Sequence, residues 1–372
     1  MNLINEIKGL LERIDENRRR GPDRTADIAN IIAGERVSSL PVSVMPLRTR
    51  AIPGTVFTMA EQFDDPLKSL YSQLEDMLSS VLLHTGAPLC VRPNYGTILL
   101  PAMLGMPYRV LDDNYPWLTG HLDKKQFARA SQTDFLTSDM MCKTLECIDT
   151  FRSVLPDWVH VYLPDTQGPF DIAHLIHGND IFYALMDEPD FVHELMAFST
   201  TLYIQATQRL KQALAEPMDS CYHGHAMAQG IWMRNGGARV SEDTPTLLSP
   251  AHIDEFVLPY DQQALAAFGG GFIHFCGKNE YLLDAFLQME QVRVINLGNP
   301  EMYDADRVMA LALGTSTTYF GPWPRLADET PHQYCARMRM LSDGASRGLL
   351  LLLHKNMFQD MDLRELLNML EA

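Results

Sequence analysis

The sequence predicts an α/β protein: a single (β/α)8 TIM barrel with an N-terminal helical extension. Three observations lead there. Short apolar runs alternate with amphipathic helical stretches, and repeated strand–loop–helix units demand parallel strands. A length of 372 residues is long for an ordinary domain but suits a barrel with insertions. No linker rich in Gly, Ser or Pro and no low-complexity tract divides the chain.

The elements follow in order. Leu3, Ile4, Ile7, Leu10, Leu11 and Ile14 fall at helical spacing, and Gly21-Pro22-Asp23 ends that helix. A second short helix from Thr25 to Ala33 completes an arm, residues 1–45, that caps the barrel floor or packs on a neighbouring subunit of a homodimer. The catalytic barrel is then 46–372. Nine strand candidates compete for eight places: Leu89–Val91, Arg109–Leu111, Val159–Leu163, His225–Met233, Ala238–Glu242, Phe272–Phe275, Val292–Leu297, Thr317–Phe320 and Leu349–Leu353. The clearest helices are Asp190–Ala215, Ser249–Phe268 (opened by a Ser-Pro cap), Asn279–Met289 and Pro331–Asp343.

Composition limits the function classes. With 46% hydrophobic and 21% charged residues, the core needs no disulfide or metal to hold it. A net charge of −17 and a pI near 5.1 repel phosphate backbones and argue against nucleic acid. The one basic cluster, Arg18–Arg20 with Arg24, sits beside Glu12, Asp15 and Glu16 and reads as a solvated helix end. Six sparse cysteines without a paired framework fit a reducing cytoplasm. The N-terminus lacks a signal-peptide core, and Leu349–Leu353 is too short to span a bilayer, so no membrane is expected. Dinucleotide, P-loop and Gly-x-Ser-x-Gly motifs are absent.

Barrel chemistry sits where strands end and βα loops begin. The strongest motif there is Gly269–Lys278, an apolar strand ending in His274-Phe275-Cys276-Gly277. Strand alternation turns His274 and Cys276 to one side, where imidazole and thiolate can hold two corners of a tetrahedral Zn²⁺. His354, closing the last apolar run, is the preferred third ligand. Cys335 is a rival inside a helical pattern, where core burial is the stronger reading. Asp165 and Gln167 follow a strand and can bind a small-molecule substrate or cap a helix. Glu242 and Asp243 can ligate a metal, orient a ligating histidine or cap a helix. Asn94 and Tyr95 are candidates for the mouth, as cofactor contacts. His174 and His177 read as packed or solvated. Cys221-Tyr222-His223-Gly224-His225 has metal-like spacing but precedes an apolar run, which predicts the wrong end of the barrel.

Asp165-Thr166-Gln167-Gly168-Pro169-Phe170, Leu248-Ser249-Pro250 with Glu255–Tyr260, and Ile273–Gly277 together resemble the uroporphyrinogen decarboxylase superfamily, from about Pro88 to the C-terminus. Its decarboxylases are cofactor-free and bind a tetrapyrrole through an Arg-rich segment that this chain lacks. Its other branch, the methylcobamide:coenzyme M methyltransferases, binds zinc through a His-x-Cys pair and a later cysteine. This chain carries the pair as His274 and Cys276 and has His354 near the later position. The resemblance implies a zinc-dependent transfer of a methyl group from a corrinoid, carried by a partner protein, to a thiol or similar acceptor. A metal-free decarboxylase and a non-catalytic corrinoid- or small-ligand-binding barrel are the alternatives.

Overall fold

The computed structural model describes residues 3–45, 57–112, 114–225, 228–344, 346–354 and 362–371. Twelve strands occur among them: β1 (Val42–Met45), β2 (Leu89–Val91), β3 (Tyr108–Arg109), β4 (Trp117–Leu118), β5 (Val159–Val161), β6 (Cys221–His223), β7 (Ile231–Met233), β8 (Ala238–Ser241), β9 (Gly271–Phe275), β10 (Val292–Leu297), β11 (Thr318–Gly321) and β12 (Leu349–His354). Six of them form a parallel sheet in the order β1-β12-β11-β10-β9-β8, and β2 pairs in parallel with β5. The remaining four make two antiparallel hairpins, β3–β4 and β6–β7.

Eight parallel strands, with helices between them, are therefore present in the chain order of a TIM-barrel-like α/β fold. Side chains and a loop join the two sheets. Gln229 accepts from the Val44 N–H at 3.0 Å, while its neighbours bond to β2 (Cys90 N–H to Ala228 O, 2.9 Å; Gly230 N–H to Pro88 O, 2.8 Å). On the other side Arg239 of β8 meets Asp165 beyond β5.

Two strand expectations are corrected. Arg109–Leu111 contributes only Arg109, in an exposed two-residue hairpin. His225–Met233 contributes only Ile231–Met233, which runs antiparallel to β6. The eighth parallel strand is β1, four residues that lie in the stretch read as the arm. The rest of the arm is helical. Ile7, Leu10, Leu11 and Ile14 pack with the helix Pro66–Val81, and Ile28, Ile31 and Ile32 pack on Phe272, Val294, Phe320, Leu350 and Leu352. The second helix thus closes the floor over the inward faces of β9–β12. The predicted helix Ser249–Phe268 is two helices, Pro250–Phe256 and Leu258–Ala266. Pro259 has no N–H for the carbonyl four residues back, so the ladder breaks at Val257. No described helix is long and apolar enough to cross a membrane.

The hairpin β6–β7 is tied to the six-stranded sheet by Lys211, at the end of the long helix Pro189–Leu214. Its fully buried Nζ donates to Glu216 Oε2 (2.7 Å), Ser220 O (2.9 Å) and Gly237 O (3.1 Å), the last two being the residues before β6 and β8. Removing the cation leaves Glu216 buried without a countercharge, its remaining bond being from the Tyr222 N–H at 2.9 Å. Lys211→Met is expected to lose about 3–5 kcal/mol in urea denaturation, and Lys211→Met/Glu216→Gln to recover part of it. Equal stability of wild type and single variant would contradict this.

Candidate metal centre

Strand alternation builds the site. Ala238 and Val240 of β8, and Ile273 and Phe275 of β9, belong to the core under the helices, so Arg239, Ser241, Phe272 and His274 face inward. Ser241 lies opposite His274, and Asn296 of β10 lies opposite it on the other side. One pleat further on, at the strand ends, come Asp243 and Cys276.

Their donor atoms converge. Cys276 Sγ is 3.4 Å and Asp243 Oδ1 is 3.7 Å from His274 Nε2, and the three atoms lie within 4.8 Å of one another. A tetrahedral zinc with bonds of about 2.0–2.3 Å has ligand-to-ligand edges of roughly 3.4–3.6 Å, so the donors need little movement to close on an ion. The Asp243 side chain is 46% exposed, which leaves the outer side of the trio open.

The imidazole is oriented from behind. Asn296 Nδ2 donates to the Phe320 carbonyl at 2.5 Å, which fixes the amide and turns Oδ1 toward His274 Nδ1, 2.6 Å away. Nδ1 must then carry the proton, leaving the Nε2 lone pair for the open side. Burial, then Arg239, lowers the pKa of His274, which also favours the neutral ring. Burial and the Asp243 carboxylate push the Cys276 thiol up to about 11. A carboxylate held against a thiol opposes a thiolate unless a cation lies between them, and that donor chemistry fits a metal.

Asp243 is pinned by reciprocal capping. Its Oδ1 accepts from the Cys276 N–H at 2.6 Å. Its own N–H and that of Thr244 donate to Asp171 at 2.9 and 2.8 Å. Asp171 lies in the first turn of the helix Pro169–His177, where the Phe170 and Asp171 N–H groups donate to Glu242 at 2.9 and 3.0 Å. Glu242 comes so close that a Cβ on Gly168 would stand 2.4 Å from its Oε1, which is why the turn before Pro169 needs glycine.

The other predicted residues divide. Glu242 is fully buried and spends both oxygens on that helix, so it positions Asp243 and has no surface for substrate. Asp165 faces the mouth, where it meets Arg239 and accepts from Gln167 Nε2 at 2.6 Å. Burial would raise its pKa, but Arg239 and Arg92 outweigh it and hold the carboxyl near 2, ionised and unfit to supply a proton. Gln167 adopts a left-handed backbone (φ 59°), a strained conformation next to the site. Asn94 Nδ2 donates to Tyr115 Oη at 3.2 Å. Tyr95 turns the other way, packing edge-on against Phe63 and donating to the Lys143 carbonyl at 3.4 Å, so it faces the helices rather than the mouth. The two line an outer cleft of about 80 Å³, too small for a corrinoid. A cavity of about 220 Å³, lined by Arg18, His84, Pro88, Trp158 and His160, lies at the opposite strand ends.

His354 does not join the trio. It sits opposite Met45 on β12, three strand spacings from β9, roughly 14 Å along the sheet. Among the described residues, the third donor atom beside His274 and Cys276 is that of Asp243. Cys335 is buried in the core. His174 and His177 hydrogen-bond Asn179 and the Leu122 carbonyl. The Cys221–His225 segment is relocated: because β6 folds back on β7, His223 packs on Phe272 and the His225 ring lies 4.6 Å from that of His274, at the centre and not the far end. Sequence reasoning passed over Asn296, Arg92 and Arg239. Asn296 and Arg239 break apolar strands at inward positions, a signal that was available.

No family model and no curated protein matches the chain. Among solved structures it is similar to a methyltransferase from Methanosarcina mazei, with a TM-score of 0.60 over 94% of this chain and 97% of that one, at 16% identity. The likeness is one of fold.

Beneath the site, Glu242 meets Asp261, both fully buried. Among the described residues no N–H or hydroxyl donor reaches either Asp261 oxygen, and two such buried acids side by side favour retention of a proton between them. Burial raises both acids, Asp261 to about 8. The native state therefore keeps a proton that the unfolded chain releases above about pH 4, and stability falls as pH rises, by about 1.4 kcal/mol per unit for one proton, up to the folded pKa. Asp261→Asn is expected to flatten this decline between about pH 5 and 8. Parallel curves for variant and wild type, from denaturant titrations across that range, would contradict the shared proton.

Proposed function

We propose that this protein is a metal-dependent methyltransferase built on a closed eight-stranded barrel. It moves a methyl group from a corrinoid, carried by a partner protein, to a thiol or similar small acceptor in the cytoplasm. The observation that carries this reading is the convergence of Asp243 Oδ1, His274 Nε2 and Cys276 Sγ at the strand ends. The shared fold with a methyltransferase supports it, as does the resemblance of Asp165–Phe170, Leu248–Pro250 and Ile273–Gly277 to the methyltransferase branch of the uroporphyrinogen decarboxylase superfamily.

Asp243, His274 and Cys276 would hold the ion, with Zn²⁺ best matched to a mixed O, N and S donor set. When bound, it supplies Lewis acidity that lowers the pKa of an acceptor thiol. The chain does the rest. Asn296 holds His274 in the ligating tautomer. Asp171 and the Cys276 N–H hold Asp243. The exposed side of Asp243 leaves room for the acceptor and for the approach of a bulky donor. In the net reaction the acceptor S–H proton leaves, an S–CH3 bond forms, and the electron pair of the broken methyl bond stays with the donor.

Elemental analysis of the purified protein should give about one zinc per chain. His274→Ala and Cys276→Ala should lose it, while His354→Ala retains it. Asn296→Leu is expected to weaken zinc affinity by roughly 10–100-fold, because the imidazole loses its orienting partner. Methyl transfer from methylcobalamin to a thiol should fall with the zinc. Full activity in a folded, zinc-free Cys276→Ala variant would overturn the proposal.

A further inference from the structure

The metal reading leaves two buried cations of the mouth unused. Arg92 follows β2 and is 6% exposed, and Arg239 is an inward residue of β8 at 7%. The backbone N–H and C=O of Arg92 are both held by the Gln73 side chain at 2.9 Å, so its root is fixed. Arg239 reaches up the barrel to Asp165, four residues past the end of β5.

The two arginines share this one carboxylate. Arg239 Nη1 donates to Asp165 Oδ1, which also accepts from Gln167. Arg92 Nη1 stands 3.8 Å from Asp165 Oδ2, beyond hydrogen-bond length. The Nε atoms of both arginines are buried and have no hydrogen-bond partner among the described residues. The imidazoles of His223, His225 and His274, which face this charge, bring no negative countercharge. Two guanidiniums present ten N–H donors against the roughly four acceptor positions of one carboxylate. Among the described residues, Asp165 is the carboxylate bonded to this pair and Arg92 otherwise rests over the Tyr162 ring at 5.8 Å, so the two planar forks, sheltered from water, have donors left for a further anion.

We infer that Arg92 and Arg239 bind the carboxylate of a small acidic substrate, whose reacting atom is presented to Asp243, His274 and Cys276. The reacting end rests on the methyl-transfer reading; the anion end rests on the arginines alone. Asp243 comes four residues after Arg239 and two past the end of β8, roughly 13 Å between Cα atoms for extended chain. The Arg239 side chain spans much of that distance toward the mouth, which limits the substrate to a short acid.

Calorimetric titration in carboxylate-free buffer tests this with 3-mercaptopropionate and its uncharged amide. Wild type should bind the acid at least tenfold tighter. Arg92→Gln should remove the preference, and Arg92→Lys should keep part of it. Arg239→Gln deprives Asp165 of its main partner, so Arg239→Gln/Asp165→Asn is measured beside it, with thermal melting to verify folding. Cys276→Ala should still prefer propionate over propionamide, because the anion end does not use the ion. Equal binding of acid and amide by wild type overturns the subsite, as does an unchanged preference in Arg92→Gln and in the double variant. Acid preference without methyl transfer in wild type would overturn the reaction and support the subsite.

Discussion

Ser241 of β8 lies opposite His274 of β9, and this register decides which side chains meet at the strand ends. Side chains alternate with a period of two, so a slip of one residue would send His274 and Cys276 into the core under the helices and bring Ile273 and Phe275 inward. The register is held where the two faces differ most. Ala238, Val240, Ile273 and Phe275 are fully buried on the helix side. Arg239, Ser241 and His274 share the interior with the hairpin β6–β7. Apolar burial on one side thus fixes the polar arrangement on the other, and the donor trio follows from core packing.

The second constraint is electrostatic separation. Acids gather at the start of the helix Pro169–His177, where Glu242 and Asp171 accept four backbone N–H bonds between them. Helix N-terminal donors favour such carboxylates. The cations gather across the mouth, at Arg92 and Arg239. Asp165 stands on their side and remains ionised because of them. Asp243 lies between the groups, fixed by its backbone to the acids and turned by its side chain toward His274 and Cys276. This division lets a carboxylate ligand and two guanidiniums share one opening without cancelling each other.

Much of this was legible in the sequence, and the failures have physical causes. The βα alternation predicted the parallel strands, and strand parity predicted that His274 and Cys276 share a side. The same parity separates Glu242 from Asp243, since Glu242 falls in phase with Val240 and Asp243 with Arg239 and Ser241; reading the two acids as equivalent missed it. β1 was hidden because four residues after Pro41 are too few to set a period. The relocation of His225 was not legible, because the sequence between β6 and β7 carries no short-turn signature that would mark a hairpin. His354 sits at a strand end, as expected, but sequence order does not give distance around a sheet.

β8 leads to both ends of the proposed site. Arg239 is on the strand and Asp243 two residues past its end, held there by Asp171 and the Cys276 N–H, so the gap between the anion end and the metal end is set by the strand and by that cap. Asp165, Asn94 and Gln167 come from loops and can vary without altering that gap. On the proposed reading, discrimination by length would reside in β8 and its cap, and discrimination by chemistry at the two ends: charge at Arg239 with Arg92, nucleophilic atom at the trio. A longer acid would anchor its carboxylate and overshoot the trio; a neutral molecule of the right length would lack the anchor. At 16% identity a shared fold leaves such details free to change. On the proposed reading, the inward residues of this one strand are where the choice of acceptor would be made.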